Sequence, residues 1–519
     1  FGPRTFNHVD DVSYTNESLV RHGYLGASPD KPFFAIAIDL LEIYRQLRRV
    51  CPRFSLDAFS RALCHIHHQP RLPHLADQLS SAYDAFLEIK RSIHRRTQDA
   101  LIRGHDWEQL NICAPCLYKT EDEPPLKYSF LAAMDGNNSL KLVDSTFRSG
   151  KVRHDNRTTE SLRWINPEHV DLFKDEVHKK DAPSILETAS QPQLSQNLSL
   201  PDAFASTSTS TGETADTCEP LPDADDDVAW LNISEIDELA QCVNTCVERW
   251  RNAGPEARKK MFALFAIAGI FLAVCRHGHV LVVCDMIRSG ELMKYPLAIV
   301  ERLMDTYGSD ICLGYDIMCA FVKTLSRSIL GKKKVALKLH GVVPSFHGHA
   351  HNRGCQLHWH PMYTEGVGLE DFEECERTFC KSNELASVTR LASPYHRHQH
   401  IDEHFAFHDQ DKHAASGNFI FQNYRQALDR IASDTPQLAA LSAKLKTNEA
   451  DYEAYLQAER DHLKSLKSEP ETVQKAVDYL EILTKTKESK QESDQAADEH
   501  KKLDYNIINN GYQKKEIQA

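Results

Sequence analysis

No apolar run in this chain is long enough to span a bilayer. The most apolar stretch, residues 261–275, is 15 residues long and ends at Arg276-His277, whereas a transmembrane helix needs about 20. Its length suits a buried strand or helix. No secretory signal heads the sequence, which starts at Phe1 rather than Met and is therefore read as a fragment or a processed product. A disulfide framework is missing too: 14 cysteines scattered through 519 residues fit a reducing compartment. Positive charge is absent from residues 181–240, which hold thirteen Asp and Glu and not one Lys or Arg. That stretch alone accounts for the formal net charge of -13 and leaves the rest of the chain neutral. Global charge thus neither favours nor excludes a nucleic-acid partner, because a basic channel can sit on a neutral body. What remains reads as a soluble chain, long enough for two or three domains, with no membrane partner.

The hydrophobic pattern divides this chain. Residues 1–125 read as a helical N-terminal region with a CxxC at its end, because apolar residues recur at helical spacing over 34–50, 55–66 and 75–93. Lys90, Arg91, Arg95, Arg96 and Arg103 form either a phosphate-contacting face or a solvated helix surface. From residue 128 the period shortens to that of strands. Residues 128–134 and 140–143 read as a hairpin turning at Asp135-Gly136-Asn137-Asn138, which would leave Asp135 at a strand end. Residues 181–228, rich in Ser, Thr, Pro and Asp, read as a disordered acidic insertion. Helices over 234–250 and 255–265 follow, then strands at 269–275 and 279–286 and a helix at 290–307. A strand over 310–315 ends at Asp316, and a helix at 319–330, a strand over 335–346 and a helix over 369–391 complete the pattern. Residues 126–180 and 229–408 would thus form one α/β core whose strand and helix order is that of an RNase H-like mixed sheet. Residues 409–519 read as a charged helical tail, either a coiled-coil arm for homo-oligomerisation or solvated helices.

Taken singly, an aspartate at a strand end is more often a turn former, and a run of glutamates more often a solvated helix face. The order along the chain gives them a joint meaning. Two aspartates at strand ends followed by a helical glutamate can hold two Mg²⁺ or Mn²⁺ about 3.5–4 Å apart. One such metal activates the attacking oxygen and the other stabilises the leaving one. Asp135 is assigned as the bridging ligand, and Asp316 and Glu373 as ligands to one metal each. Glu376, one helical turn on, is the fallback. A second constellation is Cys113-Ala114-Pro115-Cys116 together with His349, His351, Cys355, His358 and His360. Structural zinc needs four N or S donors in a tetrahedron, and the CxxC plus two of the later residues would supply them. The competing reading is a set of hydrogen-bonded loop and strand residues. His400, His404 and His408 share one helix face and read as part of an amphipathic surface. Arg276-His277, beside the core strands, is a weaker candidate for a phosphate contact.

Several stretches resemble the KDZ (Kyakuja-Dileera-Zisupton) transposases, DDE-type elements abundant in fungi and often carrying an upstream CxC-type cysteine-rich domain. They are LVRHGYLGA at 19–27, CAPCLY at 113–118, LAAMDGNNSLK at 131–141, CRHG at 275–278 and DMIRSGELMKYP at 285–296. YDI at 315–317, HGHAHN at 347–352 and KSN at 381–383 continue the series, so that the resemblance covers residues 19 to 410. It implies a nuclear DNA transposase that cuts element ends and joins them to target DNA. Asp135 would be its first catalytic aspartate and Asp316 its second. The family's Gly-Glu-Gly-x-Glu-Arg segment falls on residues 372–377, making Glu373 the third carboxylate. Phe372 and Glu374 replace both glycines. No acidic residue occurs over 265–269, where the pattern leads one to expect one, and no cysteine-rich module is seen before residue 19. The alternatives are a catalytically inactive, element-derived DNA-binding protein and an RNase H-like nuclease without strand transfer.

Overall fold

The structure, a computed structural model, describes all residues except 8, 10, 148–154, 156, 158–160, 178–263, 466–470 and 517–519. The insertion expected at 181–228 and the helix expected at 234–250 lie outside the described residues. So does most of the helix expected over 255–265, and Phe265 already belongs to a strand. The described residues fall into two compact units that divide between Leu441 and Ser442.

In the first unit a helix over Thr15–Arg21 precedes a short antiparallel pair, β1 (Tyr24–Gly26) and β2 (Ala35–Ala37), followed by α1 (Ile38–Val50), α2 (Leu56–Ile66) and α3 (Leu75–Ala100). Ser55 caps α2 by accepting from the Ala58 N–H at 3.1 Å, satisfying a donor that the first turn leaves unpaired. Apolar positions at helical spacing meet in one cluster that includes Leu41, Tyr44, Phe59, Leu79 and Tyr83. The basic stretch of α3 is partly neutralised locally. Lys90 pairs with Glu42 at 3.2 Å, and Arg91 and Arg95 pair with Glu88 at 3.2 and 3.1 Å. A single turn, α4 (Ala114–Leu117), then follows, with Cys113 at its N-cap and Cys116 within it.

Six strands form one mixed sheet: β3 (Phe130–Asn137), β4 (Leu142–Val143), β5 (Phe265–Cys275), β6 (Val280–Ile287), β7 (Ile311–Gly314) and β8 (His340–Val342). The order is β6-β5-β3-β7-β8. The first two pairings are antiparallel and the last two parallel, and β4 continues along the edge of β5 that β3 occupies. Residues 265–275 carry no charge, and from Ile267 to Cys275 all are buried, as a strand with neighbours on both edges and cover on both faces requires.

Alternation along β3 sorts its side chains between two cores. Phe130, Ala132 and Met134 join α5 (Lys294–Tyr307), α6 (Met318–Arg327) and α7 (Arg353–Trp359) on one face. Leu131 and Ala133 join α8 (Glu374–Ser382) and the first turns of α9 (Pro394–Leu445) on the other.

Three local expectations change. The chain does not turn at Asp135-Gly136; β3 runs through to Asn137, and β4 pairs with β5 rather than with β3. The strand expected over 335–346 is limited to His340–Val342. The helix expected from residue 369 starts at Glu374, because Phe372 has a left-handed φ of 61° that no helix interior accepts. In addition, α9 runs without a break through residues 408 and 409. The second unit carries α10 (Glu449–Ser465) and α11 (Glu471–Glu516). At its start the Tyr452 hydroxyl bonds Thr447 and Ser442 at 2.7 and 3.0 Å.

One buried cation fastens α9 to the sheet. Arg397, wholly inaccessible to solvent, donates from Nη1 to Asp285 of β6 at 2.6 Å and from Nε and Nη2 to the Leu140 carbonyl at 3.0 and 2.8 Å. His398 holds the other Asp285 oxygen at 2.7 Å and stacks on Trp164, with ring centroids 4.0 Å apart. Burial alone would raise the Asp285 carboxyl, but the Arg397 and His398 charges bring it down to about 2. Arg397→Met strands a buried carboxylate and is expected to cost about 3–5 kcal/mol of the unit's stability, read by urea denaturation at neutral pH. The stability from the depressed Asp285 is complete above the usual aspartate range of about 3.9. It is lost as pH falls through about 2, so the wild-type advantage should shrink on acidification.

Candidate active site and cysteine–histidine clusters

The pairing of β3 with β7 brings the two expected aspartates together. Ala133 lies opposite Gly314 in parallel register, and each chain runs two residues further to an aspartate. Asp135, within β3, and Asp316, two residues past the end of β7, thus come to the same end of the sheet, close enough for the Asp316 charge to act on Asp135. Both share the parity of Ala133 and Cys312, whose side chains enter the α8 and α9 face. The Asp135 carboxylate accepts from the Gly136 N–H at 2.7 Å, and the Asp316 carboxylate from the Ile317 N–H at 3.1 Å. Burial, followed by the charges of Asp316 and Glu291, holds the Asp135 carboxyl well above the usual range. Burial also raises Asp316, with the nearby His347 pulling the other way.

Glu291 was not singled out by the sequence reading. It follows β6 in the loop before α5, and its carboxyl group occupies the space over Gly136. A Cβ on Gly136 would sit 2.5 Å from the Glu291 Cδ. The glycine of Asp135-Gly136 therefore serves close approach, not a turn. Asn138 donates to Glu291 at 3.2 Å. The available signal was DMIRSGELMKYP itself, which places this acid at the end of a β-strand.

The two helical candidates separate. Glu373 precedes α8; it accepts from the Phe346 N–H at 2.7 Å and lies 3.4 Å from His347 Nδ1. Glu376, in the first turn of α8, is half exposed and lies 3.9 Å from His347 Nε2. Its charge is among those raising Asp135. The bond to Glu373, together with the charges of Asp316 and Glu376, raises His347. Glu374 is buried and turned towards α9, where it pairs with Lys412 and, at 3.2 Å, with Arg377. Phe372 packs its buried ring against β7, where a Cβ on Gly314 would meet its Cβ at 2.7 Å.

The cysteines and histidines assemble in two groups. Cys113 and Cys116 meet Cys275 and His277, while His351 and Cys355 meet Cys319, with the ligand atoms of each group within 4.8 Å of one another. His349 and His360 belong to neither: their rings meet edge-on with centroids 5.9 Å apart, and His360 Nδ1 accepts from the Met362 N–H. The first group combines two segments that sequence spacing could not pair. Arg276, considered for phosphate, instead lies 3.1 Å from Glu370. His400, His404 and His408 are shifted below the usual histidine range by burial, and His408 bonds the Gly278 carbonyl at 2.8 Å. Among the described residues no helix is long and apolar enough to cross a membrane.

A family model described as Kyakuja-Dileera-Zisupton transposase matches residues 128–409. This span holds the whole six-stranded sheet, both aspartates, Glu291 and α8, and it identifies the α/β core as a transposase domain. The match covers more than half of the chain: the protein belongs to the KDZ transposase family, and this membership implies transposition and DNA binding. No curated protein and no solved structure matches it. The Cys and His groups are compatible with a metal such as zinc.

Two predictions follow from this geometry. At φ 61° glycine should outperform alanine, reversing their usual ranking. Phe372→Ala and Phe372→Gly both lose the buried ring, a change worth about 3–5 kcal/mol, but the glycine variant should be more stable by about 1 kcal/mol in the same denaturation experiment. For Asp135 the raised pKa means that stability is complete below the usual carboxylate range and is lost as pH rises through the folded value. Metal-free Asp135→Asn should therefore melt above metal-free wild type at neutral pH, with the difference shrinking towards pH 4.

Proposed function

We propose that the chain is a DDE-type transposase that cuts and joins DNA strands with two divalent metals held by Asp135, Asp316 and Glu376. The observation that carries this reading is the β3–β7 register, which sets Asp135 and Asp316 side by side on the face covered by α8. Counted in chain order, the five long-range strands lie as third, second, first, fourth and fifth, the order expected of an RNase H-like sheet. The donors fit the metal. Mg²⁺ and Mn²⁺ favour carboxylate oxygen, and the charges of Asp316, Glu291 and Glu376 all raise the Asp135 carboxyl. A divalent cation would remove that repulsion. When bound, the pair would activate the attacking oxygen and stabilise the departing one.

The protein's own groups have distinct tasks in this reading. Asp135, on the inner strand, and Asp316 beside it would hold the metals, and Glu376 would close the site from α8. Glu291, against the Gly136 backbone, is available as a further carboxylate. Glu373 holds the Phe346 N–H and His347, and so orients the loop facing the metals. Cutting and joining chromosomal DNA would place the protein in the nucleus, with element ends and target DNA as partners. Homo-oligomerisation through the helical tail belongs to the same proposal.

Nicking of supercoiled plasmid by the full chain with Mn²⁺ tests it. Asp316→Ala and Glu376→Gln should each lower the rate by more than the roughly 10–100-fold that loss of an outer partner costs, whereas Glu373→Gln should stay within that range. Nicking without joining of labelled ends would favour a nuclease. DNA binding without metal-dependent nicking by the wild type would favour an inactive, element-derived protein.

A further inference from the structure

Cys113 caps the single turn α4 and Cys116 lies within it, and Cys275 and His277 end β5 and start the turn into β6. Cys116 Sγ lies 3.0 Å and Cys113 Sγ 3.4 Å from His277 Nδ1, and all four ligand atoms are within 4.8 Å of one another. A tetrahedral zinc with Zn–S of about 2.3 Å and Zn–N of about 2.0–2.1 Å has ligand–ligand edges of roughly 3.5–3.8 Å. The four donors are therefore at coordination spacing. The backbone holds them there. The N–H groups of Cys116 and Leu117 both donate to the Cys113 carbonyl, at 3.2 and 3.0 Å. The Gly278 N–H, at a φ of 85°, donates to the Cys275 carbonyl at 2.8 Å. The Phe419 ring meets His277 edge-on at 5.4 Å and covers it.

We propose that Cys113, Cys116, Cys275 and His277 bind one zinc ion as a closed structural site. Three thiols release their protons on binding, and three thiolates with a neutral imidazole leave the centre with one net negative charge. All four positions are taken by protein, so the ion has no vacancy for substrate. Its effect is mechanical: it fastens the segment before β3 to the β5–β6 turn, two pieces of chain far apart in sequence.

An independent geometry carries a second ion. Cys319 on α6 lies with its Sγ 3.6 Å from His351 Nδ1, and Cys355 Sγ on α7 is 3.2 Å from the same nitrogen. We infer a second zinc held by Cys319, His351 and Cys355, with water as its fourth ligand. It would tie the helix that follows Asp316 to the loop that carries His347.

Zinc released from the full chain, purified under reducing conditions and counted colorimetrically, is expected at two equivalents. Cys116→Ser and Cys355→Ser should each lower it by one. Undiminished zinc in folded Cys116→Ser overturns the first site, and undiminished zinc in folded Cys355→Ser overturns the second. A wild-type chain that takes up no zinc overturns both, and a Cys113–Cys116 disulfide in fresh protein overturns the first. Alkylation of the wild type with mass-spectrometric readout covers the case in which a variant does not fold. Half-buried Cys116 should be modified only after chelation, while exposed Cys380 reacts throughout and buried Cys284 and Cys312 serve as markers of global unfolding. Equal reactivity of Cys116 with and without chelator counts against the first site.

Discussion

The parallel pairing of β3 with β7 is the constraint on which the site depends. Its register, Ala133 against Gly314, fixes how far each chain runs before its aspartate, and strand alternation fixes the face. A slip of one residue would send one aspartate into the opposite core, among Met134 and Leu313. That register is itself set by burial. Phe130, Leu131, Ala132 and Ala133 each have one apolar environment available, and β5 holds the other edge of β3 over six consecutive residues.

Such a pairing gathers negative charge in a buried place, and the surrounding chain handles it unevenly. Burial leaves Asp135 and Asp316 raised, and the Asp316 charge raises Asp135 further. Glu374, the charge introduced where the family has glycine, is diverted to Lys412 and Arg377. Asp285 is fully matched by Arg397 and His398. The two aspartates of the candidate site are thus among the carboxyls that burial leaves raised. Phe372 holds a left-handed backbone that glycine adopts most readily, and its ring is buried against β7. The local strain is offset by apolar burial.

How much was legible beforehand differs from residue to residue. Strand alternation and apolar content located β5, β6 and β7, and the aspartate at 316 fell where the reading placed it, just past a strand. Asp135 was found for a partly mistaken reason. Asp-Gly is a strong turn signal, yet Gly136 stays extended because the Glu291 carboxyl needs the space its missing side chain leaves. Glu291 was missed although the DMIRSGELMKYP stretch holds it, since its place over Gly136 comes from a contact between distant segments with no sequence period. Where Glu373 and Glu376 lie relative to α8 depends on where that helix begins, and the left-handed φ at Phe372 that sets this start is a tertiary result.

By itself the sequence determined the kind of protein: period-two apolar runs made a sheet, helical spacing made the flanking layers, and the motifs carried the family. Those signals are local or nearly so, and chain physics alone can read them. Only the tertiary structure decided which distant residues meet. It paired Cys113 and Cys116 with Cys275 and His277 rather than with the later histidines, it put Arg397 beneath β6, and it brought Glu291 over Gly136. Each of these contacts depends on sheet register and on helix placement. Both are fixed by the summed burial of two cores, and no single motif along the chain encodes them.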